Sequence, residues 1–270
     1  MKLTYLGTAA SEGFPAVFCN CAYCNEARRL GGNNIRTRSQ SLVNDDLLID
    51  FPADSYQHFL SNGIEADRIR YLLITHGHSD HFYPEDLLGR YGDYAHDMRV
   101  STLRVICSAG TWRKMGDRVP KNVSCTIVRA FETVELEGYR VTALPARHMP
   151  GGEPLFYLIE GDKTLLYAHD TGYFYEEIFD YLRDRGIRLD LVSLDCTNVD
   201  IPISDEGGHM GFPNLSRVLE RLRQMGAVDA DTLCYVNHFS HNGNPLQATL
   251  EERAKQYGCA VAYDGCRVVF

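Results

Sequence analysis

Apolar residues in this chain fall in short runs, broken by glycine, proline and small polar residues. Runs of that length suit strands buried on one or both faces. They predict strands at 3–7, 41–43, 47–49, 70–74, 103–107 and 123–129. Further runs predict strands at 133–136, 139–144, 155–160, 164–168, 189–194, 232–236, 260–263 and 267–270. Asn44-Asp45-Asp46 and Gly161-Asp162 carry hairpin-turn chemistry, and 133–136 with 139–144 reads as another hairpin. Helices are predicted over 54–61, 84–95, 174–185, 213–224 and 246–257. Pro84 and Pro213 suit first-turn positions, while Asn62-Gly63, Gly186 and Gly226 suit helix ends. The stretch 7–24 reads as a loop. Hairpins crowd the first part, and strand alternates with helix later. Two β-sheets covered on the outside by helices would bury all of these faces.

Composition narrows this. A chain of 270 residues with 44% hydrophobic and 23% charged residues is ordinary for a globular protein and long enough for a large core. No repeat or linker divides it, so one domain over 1–270 is expected. The net charge of −9 argues against a polynucleotide partner. The apolar start is too short for a signal peptide, and no run approaches a membrane span, so the cytoplasm is the expected compartment and no membrane partner is expected. Of the nine cysteines, Cys107, Cys125, Cys196, Cys234, Cys259 and Cys266 sit in or beside apolar runs and read as small buried hydrophobes. The basic piece with Arg113, Lys114, Arg118 and Lys121 reads as a solvated helix face.

The densest chemistry is Thr75-His76-Gly77-His78-Ser79-Asp80-His81, directly after an apolar strand. Imidazoles with a carboxylate suit zinc, iron or manganese. His148, Asp170 and His238 each follow a predicted strand, as that loop does. As a set they point to one convergent site that could hold two divalent metals. Asp170, with two oxygens, could bridge the pair. Such a pair can hold a shared water or hydroxide as nucleophile and neutralise charge on a phosphoryl or carbonyl oxygen.

With these residues the sequence resembles the metallo-β-lactamase superfamily of hydrolases, over nearly its whole length. The resemblance implies an αβ/βα sandwich with the metals at one edge. It assigns His76, His78 and His148 to one metal, Asp80, His81 and His238 to the other, and Asp170 to both. Asp50 matches an aspartate that supports the ligand loop. Cys19, Cys21 and Cys24 form Cys-x-Cys-x-x-Cys, as in two branches of the superfamily. These are the phosphoribosyl cyclic phosphodiesterases and the pyrroloquinoline-quinone biosynthesis protein B. The first branch implies His241 as fourth ligand of a structural zinc. Phosphodiesterases of the superfamily place a proton-donating histidine where this chain has His209. With Asp80, it is expected to carry the chemistry. His169 reads as structural or as a support for the ligands, His58 and His96 as helix residues without partners, and Arg147 as a surface arginine.

The expected activity is hydrolysis of a small phosphodiester, cyclic ones included. Alternatives are a lactone, thioester or β-lactam hydrolase, an oxygenase of quinone-cofactor biosynthesis, or a zinc-stapled binding module. The stretches 9–24 and 262–265 resemble the oxygenase branch, but the complete His-x-His-x-Asp-His motif argues for hydrolysis. A homodimer is implied by resemblance only.

Overall fold

The computed structural model describes residues 1–270. The chain opens with β1 (Lys2–Gly7), α1 (Ala22–Leu30), β2 (Gln40–Val43), β3 (Leu47–Ile49), α2 (Ser55–Asn62) and β4 (Tyr71–Leu73). There follow β5 (Leu103–Cys107), the short α3 (Ala109–Trp112), β6 (Val123–Ile127), β7 (Thr133–Leu136), β8 (Tyr139–Pro145), β9 (Leu155–Glu160) and β10 (Thr164–Ala168). The last part holds α4 (Glu176–Asp184), β11 (Leu191–Asp195), α5 (Phe212–Gln224), β12 (Leu233–Asn237), α6 (Gln247–Gln256), β13 (Ala260–Val261) and β14 (Arg267–Val269).

The strands form two sheets, ordered β14-β1-β2-β3-β4-β5-β6 and β13-β12-β11-β10-β9-β8-β7. Each is mixed. The hairpins β2–β3 and β9–β10 are antiparallel, whereas β3-β4-β5-β6 and β10-β11-β12-β13 run parallel. The sheets pack face to face, because side chains alternate across each strand. Leu47 and Ile49 enter the core between the sheets, while Leu48 joins the outer core beside α2. In β9, Leu155, Tyr157 and Ile159 face the first sheet, while Phe156 and Leu158 face the core that α4, α5 and α6 cover. Both faces of both sheets are thus apolar, as four layers demand.

Two expectations are corrected. The stretch 84–95 is not an α-helix. It forms 3₁₀ turns over Pro84–Arg90 and then leaves helical geometry at Tyr91, where ψ is 148°. Gly89 and Gly92 weaken any helix there. Conversely, α1 begins at the end of the stretch read as a loop and was not predicted. Its buried face is only Cys24 and Ala27, too small for an apolar signal, and the Cys21 thiol caps it by accepting from Cys24 N–H.

His58, on α2, is not without partners. It is buried between Thr37 Oγ1 at 2.6 Å and Gln40 Oε1 at 2.7 Å. Burial pushes its pKa down to about 4, against a weaker upward pull from Asp54. The folded protein therefore holds this ring neutral where the unfolded chain protonates it near pH 6.5. Its cost to stability is absent above that pH, grows as pH falls, and levels off below about 4. Between these limits His58 should remove on the order of 3 kcal/mol. Denaturant unfolding of wild type and His58→Gln across pH 7 to 4 checks this. Parallel stability curves for the two proteins would refute it.

Candidate metal centre

The parallel strands deliver the site. Asp50 follows β3, the His76–His81 loop follows β4, Asp170 follows β10, and His238 follows β12. Loops beyond the carboxyl ends of parallel strands gather at one edge, where ligands can converge. Three of these residues leave their strand in the left-handed region, with φ of 65° at Asp50, 50° at Asp170 and 64° at His238. That turn re-aims each side chain into the space between the sheets' ends. Aspartate and histidine tolerate it better than most residues.

All seven sequence-predicted ligands come together. One group contains His76, His78 and His148, a second contains Asp80, His81 and His238, and Asp170 joins His76 and His81 in a third. His76 Nε2 and His148 Nε2 lie 2.9 and 3.1 Å from His78 Nδ1. His81 Nε2 lies 3.3 Å from His238 Nε2. Asp170 stands between the groups, with Oδ2 beside His81 and 2.9 Å from His238, and Oδ1 3.5 Å from His148.

The ring nitrogens facing away from this centre are tied down. Asp50 Oδ2 meets His81 Nδ1 at 2.7 Å, and its other oxygen accepts from Thr75 N–H at 2.8 Å. The Gly208 carbonyl meets His148 Nδ1 at 3.0 Å, and Thr197 Oγ1 meets His238 Nδ1 at 2.8 Å. An Nδ1 donor bond fixes the tautomer that leaves Nε2 a free lone pair for a cation. Burial pulls His76 well below the ordinary histidine range, and burial lowers His148 and His78 as well. Asp170 is fully buried, a position that alone would raise its pKa, yet His238 and His81 hold it well below the carboxylate range. Buried Asp170 Oδ2 satisfies no hydrogen bond. Imidazole nitrogens crowded around a buried carboxylate make a donor set that suits divalent cations.

His209 lies at the edge of this centre, its ring centroid 4.8 Å from that of His148 and 5.6 Å from that of His238. Asp195 Oδ2 meets its Nδ1 at 3.0 Å. Burial alone would lower its pKa, but Asp195, then Asp170, raise it to about 9. Asp195 was not legible as a site residue. It ends β11, fully buried, and also accepts from Asp170 N–H, Thr197 N–H and Met210 N–H. One signal could have found it, since it obeys the same rule as Asp170 and His238, a carboxylate or imidazole at a strand's carboxyl end. Gly172 makes this packing possible. A Cβ there would stand 1.8 Å from the Gly207 carbonyl oxygen, so only glycine lets the Asp170 and His209 loops touch.

The cysteine cluster also assembles. Cys19, Cys21, Cys24 and His241 present their ligand atoms together, with His241 Nδ1 3.6 Å from Cys24 Sγ and 3.9 Å from Cys21 Sγ. Backbone N–H groups of Ala16, Cys21 and Cys24 point at the sulfurs of Cys24, Cys19 and Cys21. The Cys24 N–H and His241 lower Cys21 to about 6, whereas burial raises Cys24 to about 12. One ready thiolate, N–H donors to sulfur and a histidine fit a tetrahedral zinc. The cluster joins two segments that already touch, since Ala10 N–H donates to the Phe239 carbonyl. Beneath them the buried Arg36 guanidinium lies 4.6 Å from the Phe239 ring centroid and donates to Thr8, Ala262 and Gln247.

Other residues fall outside the centre. His169 is buried and bonds Ser193 Oγ at 2.7 Å, a structural role as expected. His96 is exposed. Arg147 pairs with Glu206 and lies over the Tyr175 ring, so it is largely covered rather than a surface arginine.

Residues 47–236 match the family model described as the beta-lactamase superfamily domain. Among solved structures, a diphosphatase from the PhnP family superposes with a TM-score of 0.74 at 23% identity, covering 100% of this chain and 97% of that one. Zinc-bound PqqB from Methylobacterium extorquens superposes with a TM-score of 0.75 at 20% identity, covering all of both chains. At these identities the likeness is one of fold. The coenzyme PQQ synthesis protein B of Methylobacterium radiotolerans is 33% identical over 94 residues, 30% of this chain. The matched stretch spans 31% of that relative, and less than two thirds of the other curated relatives as well.

Proposed function

The chain belongs to the β-lactamase superfamily, and from that premise we propose that it is a metal-dependent hydrolase, a dinuclear phosphodiesterase acting on a small phosphodiester. His76, His78 and His148 would hold one divalent metal, Asp80, His81 and His238 the other, and Asp170 both. When bound, the metals supply Lewis acidity and a nucleophile at neutral pH.

The chain's own residues do the rest. Asp50, Gly208 and Thr197 orient His81, His148 and His238 through Nδ1. Asp195 holds His209 through Nδ1 and favours its protonated form, leaving Nε2–H as the donor to the leaving oxygen. The single observation that carries the phosphodiester reading is this Asp195–His209 pair beside Asp170. A phosphodiester expels an alkoxide that needs a proton, and a half-buried histidine held by a buried carboxylate suits that task. Cys19, Cys21, Cys24 and His241 would hold a structural zinc that fixes the N-terminal loop against the His238 loop.

The test is turnover by metal-loaded protein of bis(p-nitrophenyl) phosphate against a lactone and a thioester. Phosphodiester hydrolysis should dominate. Activity on the lactone or thioester with none on the diester would overturn the reading. Metal-dependent oxygen consumption in its place would point to the oxygenase branch.

A further inference from the structure

The segment after α3 carries Arg113, Lys114, Arg118 and Lys121, a pattern that by itself describes a solvated face. The structure sets Lys114 apart. Its stem lies across Gly77, where an added Cβ would meet Lys114 Cε at 3.3 Å and Cδ at 3.5 Å. Gly77 stands between His76 and His78 in the ligand loop. It is buried while His78 beside it is exposed, and the lysine stem is part of its cover. Pairing of the parallel strands β4 and β5 makes the contact, with Leu73 opposite Ile106, so the turn beyond β5 comes over the loop beyond β4.

No carboxylate reaches the ammonium of Lys114 within ion-pair distance, as none reaches Arg113, Arg118 or Lys121, but of these four Lys114 is the one whose stem lies on Gly77. An apolar stem on the ligand loop with a free ammonium at its tip is the usual way a lysine serves two surfaces at once. The chain carries a net charge of −9, and this cation stands at the rim of the centre, over the loop that holds His76 and His78.

We propose that Lys114 binds a negatively charged oxygen of the substrate and makes the site select phosphate esters over neutral esters. The proposal rests on the phosphodiesterase reading and names its specificity residue. An ammonium is a compact charge with three donors, suited to a non-bridging phosphate oxygen. A lactone or thioester carbonyl carries no charge to answer it.

The test uses the metal-loaded full chain. Inorganic phosphate is titrated calorimetrically into wild type, Lys114→Ala, Lys114→Arg and Lys121→Ala, alongside steady-state hydrolysis of bis(p-nitrophenyl) phosphate and metal analysis. In Lys114→Ala the phosphate Kd should rise about tenfold or more, the scale of one hydrogen bond to a charged group. KM for the diester should rise more than kcat falls, with metal content unchanged. Lys114→Arg should keep most of the affinity, and Lys121→Ala should match wild type. Equal phosphate affinity in Lys114→Ala and wild type would overturn the proposal. So would an equal loss in Lys121→Ala, which would mark a diffuse field. If no variant hydrolysed a phosphodiester yet Lys114→Ala alone lost phosphate, the phosphodiesterase reading would fall and the anion site would stand.

Discussion

Asp170→Ala is expected to strip the two catalytic metals from the chain and bring hydrolysis down to the uncatalysed background. Asp170 is the one carboxylate that stands within reach of both histidine groups, so no neighbouring carboxylate can replace it. Its removal also leaves His81 and His238 facing each other at 3.3 Å without the carboxylate between them. Cys21→Ser should instead cost one metal and leave the catalytic pair in place, because the two sites share no ligand. Metal analysis of the three proteins is the measurement. Wild type should carry about three metals, Asp170→Ala about one and Cys21→Ser about two, as coordination by distinct ligand sets requires. One metal per chain in the wild type would remove the dinuclear mechanism.

The second large effect belongs to His209. Because Asp195 holds the His209 ring at the edge of the centre, His209→Ala should lower kcat by roughly 10²–10⁴, the range for loss of a general acid. Metal content should stay at the wild-type level. The loss should be greater for an alkyl phosphodiester than for a nitrophenyl one, because a poorer leaving group depends more on protonation. Asp195→Asn should reproduce part of the effect by releasing the His209 ring. A uniform loss across leaving groups, or loss of metal with His209, would make it a structural residue.

How far the sequence announced this molecule depends on the range of each interaction. Four of the chemically active positions lie within Thr75–His81, next to an apolar strand, and a local pattern makes them legible. His148, Asp170 and His238 were legible because each follows a strand. The order of the strands was not, since nothing local says that β10 lies between β9 and β11. Asp195 obeys the strand-end rule but sits in no cluster. Its role exists only where residues 170, 197, 209 and 210 converge on it. Lys114 misled for the same reason, because its partner Gly77 is a neighbour only through the pairing of β4 with β5. The helix expected at 84–95 failed on local grounds, where two glycines outweighed a well-placed Pro84.

The left-handed turns at Asp50, Asp170 and His238 have a consequence for how such a centre can change over generations. A β-branched side chain strains the backbone at these points whatever its chemistry, at a cost of order 1–3 kcal/mol. The viable alphabet there shrinks toward aspartate, asparagine, histidine and glycine. Two of those four bind metals well and two do so poorly or not at all. Drift at these corners therefore tends to switch a metal off while leaving the scaffold standing. A lineage could pass through metal-free, still folded intermediates on its way to another reaction.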